Sequence, residues 1–277
     1  MPRFTVCLTF DFDAISGWIT TVKTRNPSML SRGEFGAFAI PRILELLARY
    51  GIRSSFAVPG HTAYAYPDEV RMIRDAGHEI LHHGWMHENP SELDEAAERR
   101  VLERGLEALQ AVAGVVPAGY RSPAWDMSPR TRALLLDYGF SYDSSFMGKD
   151  FHPYYLRDGD VVSQDGPYVF GREIELVEMP VAWHLDDFPY LEFSPGFPAH
   201  PPSVAEEIWR GEFDWGYAHV PGGVMTITLH PQVIGRGHRM LMLERVIRHF
   251  TDHEGVAFDT LGDVARLWKS ENPWPGS

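Results

Sequence analysis

The chain has 277 residues, 44% hydrophobic and 13% aromatic, enough for a substantial core in one large α/β domain or two small ones. Its 25 basic and 38 acidic residues leave a net charge of −13, a surface that repels polyanions and argues against nucleic acid or anionic membrane as partners. No apolar run approaches the roughly 20 residues that a membrane-spanning helix needs.

The N-terminal "MPRFTVCLTFDFD" enters a strand-like pattern at once, with no basic segment, apolar stretch and cleavage site before it. The lone cysteine, Cys7, falls in that apolar run and reads as a small core residue. A cytoplasmic protein is the expectation. In "CLTFDFDA", Asp11 and Asp13 close the strand, and residues two apart on a strand share a face. Two carboxylates beneath a buried run have an unpaired-charge problem that a bound cation solves.

A repeated punctuation follows, in which a helical pattern ends, a glycine intervenes and a strand-like run begins. Gly51, Gly77, Gly114, Gly139 and Gly255 fit as helix stops. The preceding segments carry apolar residues at helical spacing, as in Ile43, Leu44, Leu46, Leu47 and Tyr50. Strands alternating with helices argue for parallel βαβ units, and six or seven of them favour a barrel over a short open sheet.

Four histidines lie within "HEILHHGWMH". "GHEIL" reads as a strand and "HGWMHENP" as a single helical turn ended by Pro90, with His83 and His87 on one face at the i, i+4 spacing of helical zinc pairs. His78 and His82 are read as structural, His82 pointing away from His83. The next helix, "SELDEAAERRVLERGLEALQAVAG", opens with a predicted Ser91-x-x-Asp94 capping box.

Arg121 in "GYRSPAW" and His230 in "GGVMTITLHP" stand where predicted strands become loops. Between them, residues 146–202 are rich in Pro, Gly, Tyr and Asp and read as a long excursion with one strand, at "EIELVEMPVAW". His152, His184, His200 and His219 are assigned to that excursion as surface or hydrogen-bonding residues. Asp186 and Asp187 are candidates to support a site from behind. No linker divides the chain, so residues 1–277 read as one domain.

Asp11, Asp13, His83, Arg121 and His230 thus fall at or just past the carboxyl ends of separate strands, the rim where barrels assemble active sites. Two histidines with one carboxylate and open positions describe a catalytic metal site. A further carboxylate and histidine would supply a base and an acid.

The motifs "TFDFD", "HHGWMH", "RSPAW" and "TLHP", in this order, resemble those of the polysaccharide deacetylase family, whose fold is a distorted (β/α)7 barrel. The D-x-D form of the first motif, with "YDSSFM", "EMPVAWHLDD" and "HPQVIGRGHRM", is similar to a narrower branch. That branch holds a peptidoglycan-deacetylase-like protein, cyclic imide hydrolases and metal-independent allantoinases. Many other family members carry adjacent aspartates where Phe12 intervenes here. The resemblance implies that Asp13, His83 and His87 bind a metal, zinc or another divalent transition metal. It makes Asp11 the general base, Arg121 its orienting partner and His230 the general acid. The implied activity is metal-assisted hydrolysis of a non-peptide amide bond. A small cytosolic cyclic imide or ureide is the expected substrate, an N-acetylated sugar or peptidoglycan the alternative. A metal-independent amidohydrolase and a binding protein without turnover are the remaining readings. The branch also implies a homo-oligomer.

Overall fold

A computed structural model of the chain describes residues 2–193 and 199–276. The fold is organised around β1 (Phe4–Asp11), which is buried along its whole length. Such a continuous apolar run suits a strand covered on both faces, as in parallel sheets. Residues 4–10 of β1 pair with β8 (Gly223–Leu229), residues 9–11 with β2 (Ser55–Val58), and residues 4–6 also with β9 (Val256–Phe258), all in parallel.

From β2 the sheet continues through β3 (Glu79–His82), β4 (Gly119–Tyr120), β5 (Tyr142–Asp143) and β7 (Arg172–Glu178), every pair parallel. The antiparallel strand β6 (Tyr154–Asp158) lies on the outer edge of β7. Parallel neighbours need crossovers, and helices Pro27–Arg49, Pro67–Asp75, Glu95–Ala113, Thr131–Asp137, Pro202–His219 and Gly237–Thr251 supply most of them. Beyond β7 the chain swings round to β8: Asp186 bridges Thr228 in parallel, and the Asp187 amide donates to the Thr228 carbonyl at 3.1 Å. This is the distorted (β/α)7 barrel that the motifs imply. One ladder spans residues 4–258, and no helix among the described residues is long and apolar enough to cross a membrane.

The five punctuating glycines all take positive φ, from 62° to 80°. Other expectations need correction. The 146–202 segment contributes a genuine barrel strand, β7, as well as the edge strand β6, and its residues 194–198 lie outside the described residues. The strand read at 173–183 ends at Glu178, because Pro180 has no amide for a ladder. His219 is the last residue of helix Pro202–His219 and does not belong to the excursion. Ser91 does not cap the long helix. It sits in a 3-10 turn, Pro90–Glu92, and Asp94 is the cap, accepting from the Ala97 amide at 2.7 Å. Nor is "HGWMHENP" a helical turn: Gly84 and His87 both have left-handed φ, 73° and 63°.

His82 points away from the rim, as expected. Its Nε2–H donates to the Leu102 carbonyl at 3.0 Å and its Nδ1 accepts from the Gly84 amide at 3.2 Å. Burial lowers its pKa to about 4, which keeps the ring neutral for these roles. His82 thereby ties the histidine loop to helix Glu95–Ala113, and Gly105 makes the approach feasible. A Cβ at Gly105 would lie 2.1 Å from His82 Nε2 and 2.8 Å from the Gly84 carbonyl oxygen. Gly105→Ala should therefore cost about 1–3 kcal/mol through overpacking. Gly211→Ala, with nothing within 4 Å of the added carbon, should gain roughly 0.5–1 kcal/mol from helix propensity. Urea titration measures both, and equal shifts would contradict this packing account.

Candidate metal and catalytic site

Asp13 lies two residues past β1, in a loop held by the Ser16 amide at 2.9 Å and the Thr62 hydroxyl at 2.7 Å, both donating to its carbonyl. Its carboxylate is buried and faces two imidazoles: His83 Nε2 is 3.3 Å and His87 Nε2 3.8 Å from Oδ1. The donor atoms of Asp13, His83 and His87 all lie within 4.8 Å of one another. His83 Nδ1 is 2.7 Å from the Arg121 carbonyl, an acceptor only, so Nδ1 carries the proton and Nε2 presents a lone pair. His87 Nδ1 meets the Thr21 hydroxyl at 2.8 Å. Asp13 Oδ1 and His83 Nε2 are nevertheless buried without a hydrogen-bond partner.

The electrostatics of the three groups are coupled. Burial disfavours charge on Asp13, yet the His87, His83 and His230 rings outweigh it and hold the carboxyl below its ordinary range. On His83 burial is outweighed by the Asp13 and Asp11 carboxylates, and the pKa rises; on His87 burial wins and the pKa falls.

Asp11 ends β1 with its carboxylate beside this cluster, Oδ2 lying 3.9 Å from His83 Nε2. Its other oxygen accepts from Arg121 Nη1 at 2.8 Å. Arg121 is wholly buried, and four of its five N–H groups donate. Nη1 also donates to the Thr9 hydroxyl at 2.7 Å, Nη2 to the Ser144 hydroxyl at 2.8 Å, and Nε to the Ser144 carbonyl at 3.0 Å. A buried guanidinium fixed in this way has a single orientation, and it points one N–H at Asp11.

His230 follows β8 and faces the cluster from the opposite side, with Nε2 3.8 Å from Asp13 Oδ2. Its Nδ1 donates to Asp187 Oδ1 at 2.8 Å, and its backbone amide donates to the same carboxylate at 3.0 and 3.1 Å. Burial opposes a charge on this ring, but Asp186 and Asp187 raise its pKa well above the ordinary value. Burial pushes the neighbouring Asp186 up to about 7, and the charge of Asp187 adds to the effect.

These groups open into a cavity of about 170 Å³ walled by Trp18, Val22, Trp125, Trp183 and Phe188. Trp125 and Trp183 pack with ring centroids 4.3 Å apart. The backbone around the cavity is strained. Ala14, His87, Ala124 and Trp125, none of them glycine, have φ of 47°, 63°, 54° and 55°. Such residues cost of order 1–3 kcal/mol each and gather at functional sites.

All six residues singled out by the sequence therefore meet at one end of the barrel. Asp186 and Asp187, held there as supporting candidates, reach it through the excursion, as do Trp183 and Phe188. Thr21, Ser144 and Gln232 also touch the site or its supports but were not singled out: Ser144 and Gln232 lie within the motifs "YDSSFM" and "HPQVIGRGHRM", whereas Thr21 gave no signal.

Two lone pairs facing each other across 3.3 Å in a buried place repel unless a cation or proton lies between them. Two imidazoles and one carboxylate are a donor set that suits zinc and similar ions, so the residues present fit a metal. The polysaccharide deacetylase family model matches residues 1–142 of the chain. A peptidoglycan deacetylase from Helicobacter pylori is 37% identical over 279 residues, spanning 95% of both chains. A solved structure from Mycobacterium smegmatis, assigned as a polysaccharide deacetylase, is 37% identical with a TM-score of 0.88, over 99% of this chain and 93% of that one. The structure of an allantoinase, 24% identical, has a TM-score of 0.82 over 99% and 92% of the two chains, which shows a shared fold. Asp13, His83 and His87 are the candidate metal triad here. The chain belongs to the polysaccharide deacetylase family and is a hydrolase acting on carbon–nitrogen bonds other than peptide bonds.

Proposed function

We propose that the chain hydrolyses a small cytosolic amide, a cyclic imide or ureide, at a metal held by Asp13, His83 and His87. The observation that carries the substrate class is the cavity. At about 170 Å³ it is well below the roughly 300–1,000 Å³ of ordinary small-molecule pockets, and tryptophans wall it. Such a volume suits a single small ring better than a polymer.

Zn2+ or another divalent transition cation bound by these residues would supply Lewis acidity to a carbonyl oxygen and to water. Asp11 takes the proton of the attacking water, and Arg121 orients Asp11 through its Nη1–H. His230 delivers a proton from Nε2 to the departing nitrogen while Asp187 holds Nδ1–H and so fixes the ring. Trp125 and Trp183 exclude bulk water from this exchange.

A second reading, N-deacetylation of an acetylated sugar or peptidoglycan, draws on two observations. One is the relative from Helicobacter pylori. The other is a polar recess of about 230 Å³ that shares Thr21, His87 and Ala124 with the cavity and adds Lys23, Glu88 and Asn89. Together the two hollows could seat more than a single small ring. Ring opening of a cyclic imide and ureide panel, set against acetate release from N-acetylglucosamine oligomers, separates the readings. Ring opening without acetate is expected; acetate alone would restore the deacetylase.

The division of labour has its own test. Asp11→Asn should lose about 10²-fold or more in kcat while the metal stays bound, because an amide cannot accept the proton. Asp13→Asn and His83→Ala should lose metal as well as turnover. Metal analysis beside kinetics reads both, and full activity after chelation would make the enzyme metal-independent.

The proposal includes a homo-oligomer. Val162 and Phe170, 80% and 67% exposed near the β6–β7 edge, offer apolar surface to a second copy. Light scattering should give at least twice the 31.4 kDa of one chain, and a monomer mass at micromolar concentration would contradict it.

A further inference from the structure

We propose that Asp214, His249 and His253 form a second site for a divalent transition metal, remote from the catalytic cavity. His249 lies twelve residues beyond Gly237 on helix Gly237–Thr251, roughly 18 Å along its axis, and His253 follows one turn later. Asp214 comes from the adjacent helix Pro202–His219. The cluster sits towards the end of the barrel where β1 begins. Tyr217, whose ring is 4.8 Å from that of His253, accepts on its carbonyl from Arg3, the residue before β1.

Three features make this more than a surface ion pair. First, the donor atoms lie within 4.8 Å of one another, with Asp214 Oδ1 at 2.6 Å from His249 Nε2 and 4.0 Å from His253 Nε2. Tetrahedral zinc at 2.0–2.1 Å sets its donors about 3.3 Å apart, so small side-chain rotations in opposite senses complete the geometry. Second, His253 Nδ1 is 2.8 Å from the His249 carbonyl, which fixes the proton there and leaves Nε2 as a lone pair facing Asp214. Third, the buried Phe213 packs against both imidazoles, at centroid distances of 5.7 and 5.0 Å, and limits their rotation. Asp214 is half exposed, so an ion can enter and water can fill its remaining position.

Two imidazoles four residues apart and a carboxylate from a neighbouring helix suit Zn2+, Cu2+ or Ni2+ better than Ca2+ or Mg2+. Among the described residues, nothing in the surroundings supplies a base or a substrate cavity. The bound ion would pin the two helices together, one leading out of the excursion and the other following His230, and so stabilise the folded chain by mass action.

The test is a calorimetric titration of the full, chelator-stripped chain with Zn2+, using wild type, His253→Ala, Asp214→Asn and His83→Ala. Each of the first two variants should bind one equivalent fewer than wild type. His83→Ala should keep the equivalent that they lose, so the result stands apart from whatever the catalytic centre binds. In the His83→Ala background Zn2+ should raise Tm by a few degrees, and adding His253→Ala should remove that rise. Circular dichroism of each variant checks that it is folded. Equal Zn2+ stoichiometry in wild type and His253→Ala, or a Tm rise that survives both substitutions, would overturn the proposal.

Discussion

Asp13 Oδ1 and His83 Nε2 confront each other at 3.3 Å, both buried and neither hydrogen-bonded. The Arg121 carbonyl forces the proton of His83 onto Nδ1 and so turns a lone pair towards a carboxylate. Left alone, this contact is among the costlier features of the molecule, since a buried charge needs a partner. A proton relieves it in part and a divalent cation relieves it fully, with His87 Nε2 in place as a third donor. The proposed metal chemistry and the arrangement of the rim both follow from that confrontation.

Much of the surrounding structure holds the two groups in this position. The Asp13 loop leaves β1 through Ala14, whose φ of 47° is strained, and helix Pro27–Arg49 backs it through a glycine. A Cβ at Gly33 would come within 2.5 Å of the Ala14 carbonyl oxygen. The histidine loop is pinned from behind by His82 on Leu102 and above Gly105. Arg121 serves both sides at once, its carbonyl fixing the His83 tautomer and its guanidinium fixing Asp11. A buried arginine is normally a burden; here one residue ties the proposed base and a proposed ligand to the same loop.

The barrel, and the grouping of the candidate residues at one end of it, were legible in the sequence because both are written in short-range patterns. The strand–helix–glycine rhythm records chain reversals, and all five glycines take the left-handed conformation that such reversals need. Asp11, Asp13, His83, Arg121 and His230 stood out as candidates because each polar group sits at or just past the end of an apolar run, and His87 through its spacing from His83. What was misread depended on backbone conformation or on distant packing. His83 and His87 do converge, but through left-handed residues at Gly84 and His87 and without a helical turn, and spacing alone cannot tell these apart. Ser91 and Asp94 both look like caps, and Pro90 assigns the first to its own short turn. The strand at β7 was read, but β6 was missed because only Leu156 of its five residues is buried.

The cavity raises the question of which bond is cut, and its tryptophan walls favour a small ring while the adjoining polar recess leaves room for a sugar. The proposed roles of the charged residues are common to both substrates and rest on the proposed cation. Anomalous diffraction from crystals grown with Zn2+ tests this most directly. The account predicts a peak about 2.0–2.2 Å from Asp13 Oδ1, His83 Nε2 and His87 Nε2 together. Catalytically active crystals with no peak between those three atoms would contradict it.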